Sequence, residues 1–171
     1  MMRASGVGLA ALMLTVASAG CKKSASVDAV PVDSSLVASL ERGPCHGTCP
    51  VYRVEIYGDG KVRFEGKQHV GDMGIRNGTT TTAAIQSFMR SVAATAFSSA
   101  DTSFIMESAG CGAYATDLPT AVLSIKVGAR MKTIQHDFGC RNAPPFLRTL
   151  EAQLDTAART APWIAGTGEK K

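Results

Sequence analysis

Val51-Tyr52-Arg53-Val54-Glu55-Ile56-Tyr57-Gly58-Asp59-Gly60-Lys61-Val62-Arg63-Phe64-Glu65 alternates apolar and polar residues on both sides of a glycine-rich turn. Tyr52, Val54 and Ile56 share one face, and Arg53 and Glu55 the other, which is the period of a half-buried strand. A two-residue Asp59-Gly60 loop would set Glu55 against Phe64 and mix the faces. A three-residue loop, Gly58 to Gly60, sets Val54 against Phe64 and Ile56 against Val62. It also sets Glu55 against Arg63 and Arg53 against Glu65, two opposite-charge pairs. The stretch therefore predicts a hairpin with Gly60 in the left-handed conformation.

Downstream, a short third strand is expected near His69 to Arg76. Thr79 to Thr82 offer N-caps for a helix running to about Ala96. Ile85, Phe88, Met89, Val92 and Ala96 make its apolar stripe. Ala121 to Val127 and Met131 to Asp137 read as a second hairpin across Gly128-Ala129-Arg130. Pro144-Pro145 opens a last helix, with Leu147, Leu150 and Leu154 as its buried stripe. The expectation is an α+β domain over residues 41–160, in the order ββ(β)αββα. It has one antiparallel sheet of four to five strands, built from two hairpins and packed by two helices.

The start of the chain reads as an export signal. Arg3 supplies a positive region, and Gly6 to Val16 is an uncharged, mostly apolar run, too short to span a bilayer. Ala17-Ser18-Ala19-Gly20-Cys21 resembles the bacterial lipobox, with Ser18 where that pattern usually has Leu. On this reading residues 1–20 are a lipoprotein signal and Cys21 is the lipidated first residue of the mature chain. Ordinary cleavage after Ala19 or Gly20 is the alternative, and it leaves Cys21 as a thiol. Lys22 follows the cysteine, and the absence of Asp there resembles an outer-membrane address. Residues 21–40, small and polar, read as a flexible tether. Residues 161–171 read as a tail, with Trp163 a satellite packing residue.

The formal charge is +4; removing residues 1–20 takes away one cation, Arg3, and no acid, leaving +3. The basic residues are scattered, which excludes a nucleic-acid interface of the usual clustered kind. Five cysteines are present. With Cys21 lipidated, Cys45, Cys49, Cys111 and Cys140 remain, an even set for two disulfides in an exported protein. Three pairings are open. Cys45–Cys49 with Cys111–Cys140 is preferred, because the first pair shares a tight Gly/Pro-flanked loop and the second flanks the outer ends of the later hairpin.

Cys45-His46-Gly47-Thr48-Cys49-Pro50 is the richest stretch chemically. It lacks the C-x-x-C-H of haem attachment and the spacing and βαβ setting of a thioredoxin motif. Two thiolates with His46, and His69 or His136, suit a soft metal such as Cu(I) or Zn, but no second ligand pair stands at matching spacing. A structural disulfide is the simpler reading. Asp117 and His136 both flank the second hairpin, and an Asp–His pair is a generic acid/base element. The simpler reading there is a turn-capping Asp and a strand His. No G-x-S-x-G and no phosphate-binding glycine loop accompany them, so no catalytic residue, metal or cofactor is assigned. Asn77-Gly78-Thr79 fits a glycosylation acceptor, but in a bacterial lipoprotein it reads as a turn into the helix.

Cys45-His46-Gly47-Thr48-Cys49-Pro50-Val51-Tyr52, with Tyr57-Gly58-Asp59-Gly60 and Phe64-Glu65-Gly66, resembles the bacterial domain of unknown function 6438, whose members open with C-x-G-x-C-P-x-Y. Thr116 to Thr120 and Lys132 to His136 also look like that family. The resemblance covers about Arg42 to Ala158, and many members look exported or lipid-anchored. It implies domain limits and location, and no activity. Cys111 and Cys140 stand outside the common pattern. The leading expectation is a non-catalytic envelope lipoprotein held to a membrane by its N-terminal lipid, with an envelope protein or small ligand as partner. The alternatives are a thiol-redox or metal-handling protein using Cys45 and Cys49, and a hydrolase using Asp117 and His136.

Overall fold

The computed structural model describes residues 1–2 and 34–166. Cys21, nearly all of the expected signal segment, most of the tether and the last five residues lie outside them. The fold is α+β: strands β1 (Leu36–Arg42), β2 (Val51–Tyr57), β3 (Lys61–Gln68) and β4 (Gly74–Thr79) precede helix α1 (Thr82–Ala93). Then come β5 (Ser103–Phe104), β6 (Thr120–Val127), β7 (Arg130–Asp137), α2 (Phe146–Ala158) and α3 (Ala161–Ala165).

The strands form one seven-stranded sheet in the order β4-β3-β2-β1-β6-β7-β5. All its pairings are antiparallel except β5 with β7, which is parallel. The expectation of four to five antiparallel strands therefore understates the sheet. The central strand, β1, lies mostly inside the stretch read as a tether, with only Glu41 and Arg42 beyond it. Its residues Val37 to Leu40 are all buried, whichever face they take, so it shows no alternation. A bulge between Leu36 and Ala38 lets Val37 and Ala38 both join the core.

The first hairpin has the expected register: Val54 faces Phe64, Ile56 faces Val62, Glu55 faces Arg63 and Arg53 faces Glu65. Gly60 turns the chain at φ +84°, a conformation that favours glycine. The second hairpin differs by one residue. Val127 pairs with Arg130, so its loop is Gly128-Ala129 alone. Gly128, at φ +60°, occupies the first loop position, where a type II′ turn takes glycine. The expected third strand starts later, at Gly74, after His69 takes φ +52°.

Ala38, Leu40 and Arg42 lie beside Ile56, Val54 and Tyr52 on one flank, and beside Ile125, Leu123 and Ala121 on the other. This face is covered by helices. Ile85, Phe88 and Val92 of α1 and Leu147, Leu150 and Leu154 of α2 are buried against it. The Thr81 hydroxyl accepts from the Ala84 amide at 3.1 Å and starts α1. The helix ends three residues short of Ala96, and fully buried Phe97 closes the corner.

The expected tail is instead docked as far as Gly166. The Gly71 and Asp72 amides donate to the Ile164 and Trp163 carbonyls, and the Trp163 ring lies 5.2 Å from Phe64. The opposite face of the sheet carries a charged ladder in which Glu55 meets Arg53 at 3.0 Å and Arg63 at 3.7 Å, and Lys67 meets Glu41 at 2.6 Å.

Candidate functional site at the disulfide end of the sheet

The topology sorts the loops to two ends. Leu36, where the described chain enters the sheet, pairs with Tyr57 beside the Gly58–Gly60 turn. The Gly128-Ala129 turn and Thr80 lie at this same end. The other end holds the segments that leave β1, β3 and β7 and enter β2, β4 and β6. It therefore gathers Cys45, His46, Cys49, His69, Asp117 and both disulfides.

Cys45 is bonded to Cys49 with Cα atoms 5.7 Å apart, and Cys111 to Cys140 with Cα atoms 4.5 Å apart. The first loop leans on its neighbours: the Gly43 amide donates to the Thr120 carbonyl at 2.8 Å, and the His46 amide to the Asp117 carbonyl at 3.1 Å. The His69 Nδ1–H donates to the Cys49 carbonyl at 3.2 Å. Among the described residues no group of three or more His, Cys, Asp and Glu is placed to hold a metal ion, and with both sulfurs bonded to each other the thiolates are not on offer.

Asp117 and His136 have different side-chain partners. Asp117 is exposed and accepts from the Thr116 hydroxyl at 3.1 Å. His136 is only 2% exposed, and its Nδ1 meets Glu151 Oε1 at 2.7 Å. The carboxylate partner comes from α2, across the sheet face.

That contact begins a network the sequence reading missed. Arg42 Nη1 lies 3.7 Å from Glu151 Oε2. Arg42 Nη2 donates to Asp155 Oδ2 at 2.7 Å, and Arg42 Nε to the Tyr52 hydroxyl at 2.9 Å. The Tyr52 hydroxyl donates to Asp155 Oδ1 at 2.7 Å, and Thr160 donates to the same oxygen at 3.1 Å. Glu151 is fully buried. One signal was available: Glu151 sits four residues after Leu147 and three before Leu154, squarely on the apolar stripe of α2, where a charge needs a partner. The network ties α2 to β1, β2 and β7, and Glu151 Oε2, with Arg42 Nη1 3.7 Å away, is its one buried oxygen without a hydrogen bond.

Burial, then the Asp155 charge, raises the Tyr52 phenol well above its ordinary value of 10, with Arg42 opposing. For Arg42, burial alone would lower the value, but Asp155 and Tyr52 together outweigh it and the guanidinium is held charged. Tyr114 is also raised, by its hydrogen bond to Asp137 and then by burial. An unfolded phenol ionises near pH 10, whereas folded Tyr52 keeps its proton beyond that. Stability is therefore unaffected by Tyr52 below pH 10 and falls as the pH rises past it. In a phenolate absorbance titration, Tyr52 should ionise only together with loss of the fold. Reversible ionisation of all three tyrosines near pH 10 in a folded protein would contradict this.

Among the described residues no helix is long and apolar enough to cross a membrane. No curated protein matches the chain. A family model does match, over residues 37–158, which spans the sheet from its central strand to the end of α2. By that match the chain belongs to the family described as domain of unknown function DUF6438.

Proposed function

We propose that this chain is a non-catalytic binding module of the bacterial cell envelope, anchored through lipid on Cys21, at the outer membrane. Its binding surface is the disulfide end of the sheet, turned toward an envelope protein or small ligand. The observation that carries the reading is the polarity of the sheet. The chain arrives from its N-terminal segment at Leu36, while the Cys45–Cys49 loop and the Asp117 turn lie at the far end of the seven-residue β1, roughly 20 Å away. An anchor at one end leaves the other free to meet a partner. The signal-like segment with its lipobox, and two disulfides suited to an oxidising compartment, support the location.

The test is a photoreactive residue placed in living cells at His46 or Leu118, and separately at Asp59 or Ala129. Crosslinked partner should appear at the first two positions and not at the second two. Equal capture at both ends, or capture at the hairpin turns alone, would remove the proposed surface. Mass spectrometry of the mature N-terminus from the same cells should show fatty acyl mass on Cys21, and an unmodified cysteine there would remove the anchor.

A further inference from the structure

The two disulfides sit in opposite surroundings. Cys111 is 1% exposed and Cys140 4%, so no external thiol reaches them without the fold opening. Cys45 and Cys49 are half-buried, and His46, Gly47 and Thr48 between them are exposed. Gly47 has φ +148°, and a Cβ built there would, its chain neighbours His46 and Thr48 aside, meet only Cys45 Sγ within 4 Å, at 3.9 Å. Open space therefore adjoins the Cys45 sulfur on that side. The backbone on either side of the loop is held independently of the bond between the sulfurs. Arg42 pairs with Tyr52, and the Gly43 and His46 amides are bonded to the 117–120 segment. Opening this bond thus leaves the sheet registered.

We infer that Cys45–Cys49 is an exchange-active disulfide that accepts electrons from a protein dithiol at the disulfide end, whereas Cys111–Cys140 is structural. The partner thiolate attacks Cys45 Sγ in line with the Cys45–Cys49 bond. A new S–S bond forms as the Cys45–Cys49 bond breaks, and the electron pair leaves on Cys49 Sγ, which takes a proton from solvent. The partner's second thiol, losing its proton, attacks the partner sulfur of the mixed disulfide and expels Cys45 as a thiolate, which is protonated. Two electrons and two protons pass from the partner dithiol to this chain. The inference goes beyond the binding reading and does not depend on the lipid anchor.

Native oxidised protein, without denaturant at neutral pH, is treated with dithiothreitol, quenched with iodoacetamide at intervals and mapped by mass spectrometry. Reactivity that follows access should make Cys45 and Cys49 alkylate at least ~100-fold faster than Cys111 and Cys140. Glutathione disulfide should form a mixed disulfide faster with Cys49→Ser, which leaves Cys45, than with Cys45→Ser. If both pairs open at the same rate, or if Cys45–Cys49 opens only in urea, the inference fails. The wild-type measurement stands whether or not either variant folds.

Discussion

Arg42→Met loses about 3 kcal/mol of unfolding free energy, since removing one partner of a buried ion pair strands the other. The Arg42 guanidinium contacts Asp155 at 2.7 Å, the Tyr52 hydroxyl at 2.9 Å and Glu151 at 3.7 Å. Methionine keeps most of the side chain's apolar stem and so isolates the charge. Asp155 retains Tyr52 and Thr160 as donors. Glu151, fully buried, retains only His136. Most of the cost should therefore arise at Glu151. Adding Glu151→Gln to Arg42→Met should restore about 1 kcal/mol, whereas Glu151→Gln alone should destabilise, a sign reversal that only a coupled pair produces. Arg42→Lys should recover less than half, because one ammonium cannot serve two carboxylates and a phenol at these positions. Urea unfolding of the four variants decides it. Arg42→Met within about 1 kcal/mol of wild type would show that water, not Arg42, balances the carboxylates.

The same residues mark where sequence reading succeeds and where it stops. The β2–β3 register is legible because three local signals agree there: period-two alternation, a Gly-Asp-Gly turn and two opposite-charge cross-strand pairs. β1 is illegible by that method. Val37 to Leu40 are all buried, so Leu36-Val37-Ala38-Ser39-Leu40 carries no alternation, and its Ala and Ser resemble the small residues of a linker. The two-residue β5 falls below any periodic signal, and α3 is held by backbone bonds to Gly71 and Asp72 that no pattern announces. At the site, cysteine count and spacing are enough to prefer the pairing present in the structure. The ion-pair network is another matter, because Arg42 and Asp155 are 113 residues apart and meet only once α2 lies on the sheet. Chain position alone pairs His136 with Asp117, because both flank one hairpin. Its carboxylate comes instead from a helix, and the clue was a glutamate on an apolar stripe.

Replacing Cys111 and Cys140 together by alanine should cost about 3.6 kcal/mol, the loop entropy released when a cross-link spanning this sequence separation is removed from the unfolded chain. That separation is 29 residues, against 4 for Cys45–Cys49, and the same relation gives about 2 kcal/mol for the shorter loop. Alanine rather than serine is the proper probe, because both cysteines are buried and a hydroxyl there would add its own desolvation cost. The native contacts around the bond act in the same direction. The Asn142 amide donates to the Cys111 carbonyl, and the Ala115 amide to the Gly139 carbonyl. Tyr114 donates to Asp137 at 2.9 Å. These hold the 105–119 segment against the end of β7 only while the chain is already close, so without the cross-link that segment should open first. Hydrogen exchange should rise there before it rises in β1 or β2, and the unfolding midpoint should fall by roughly 10 °C. A loss below about 1 kcal/mol, or uniform exchange across the sheet, would mean that the backbone bonds alone organise this end. Stability would then give no ground for keeping Cys111–Cys140 closed while Cys45–Cys49 exchanges.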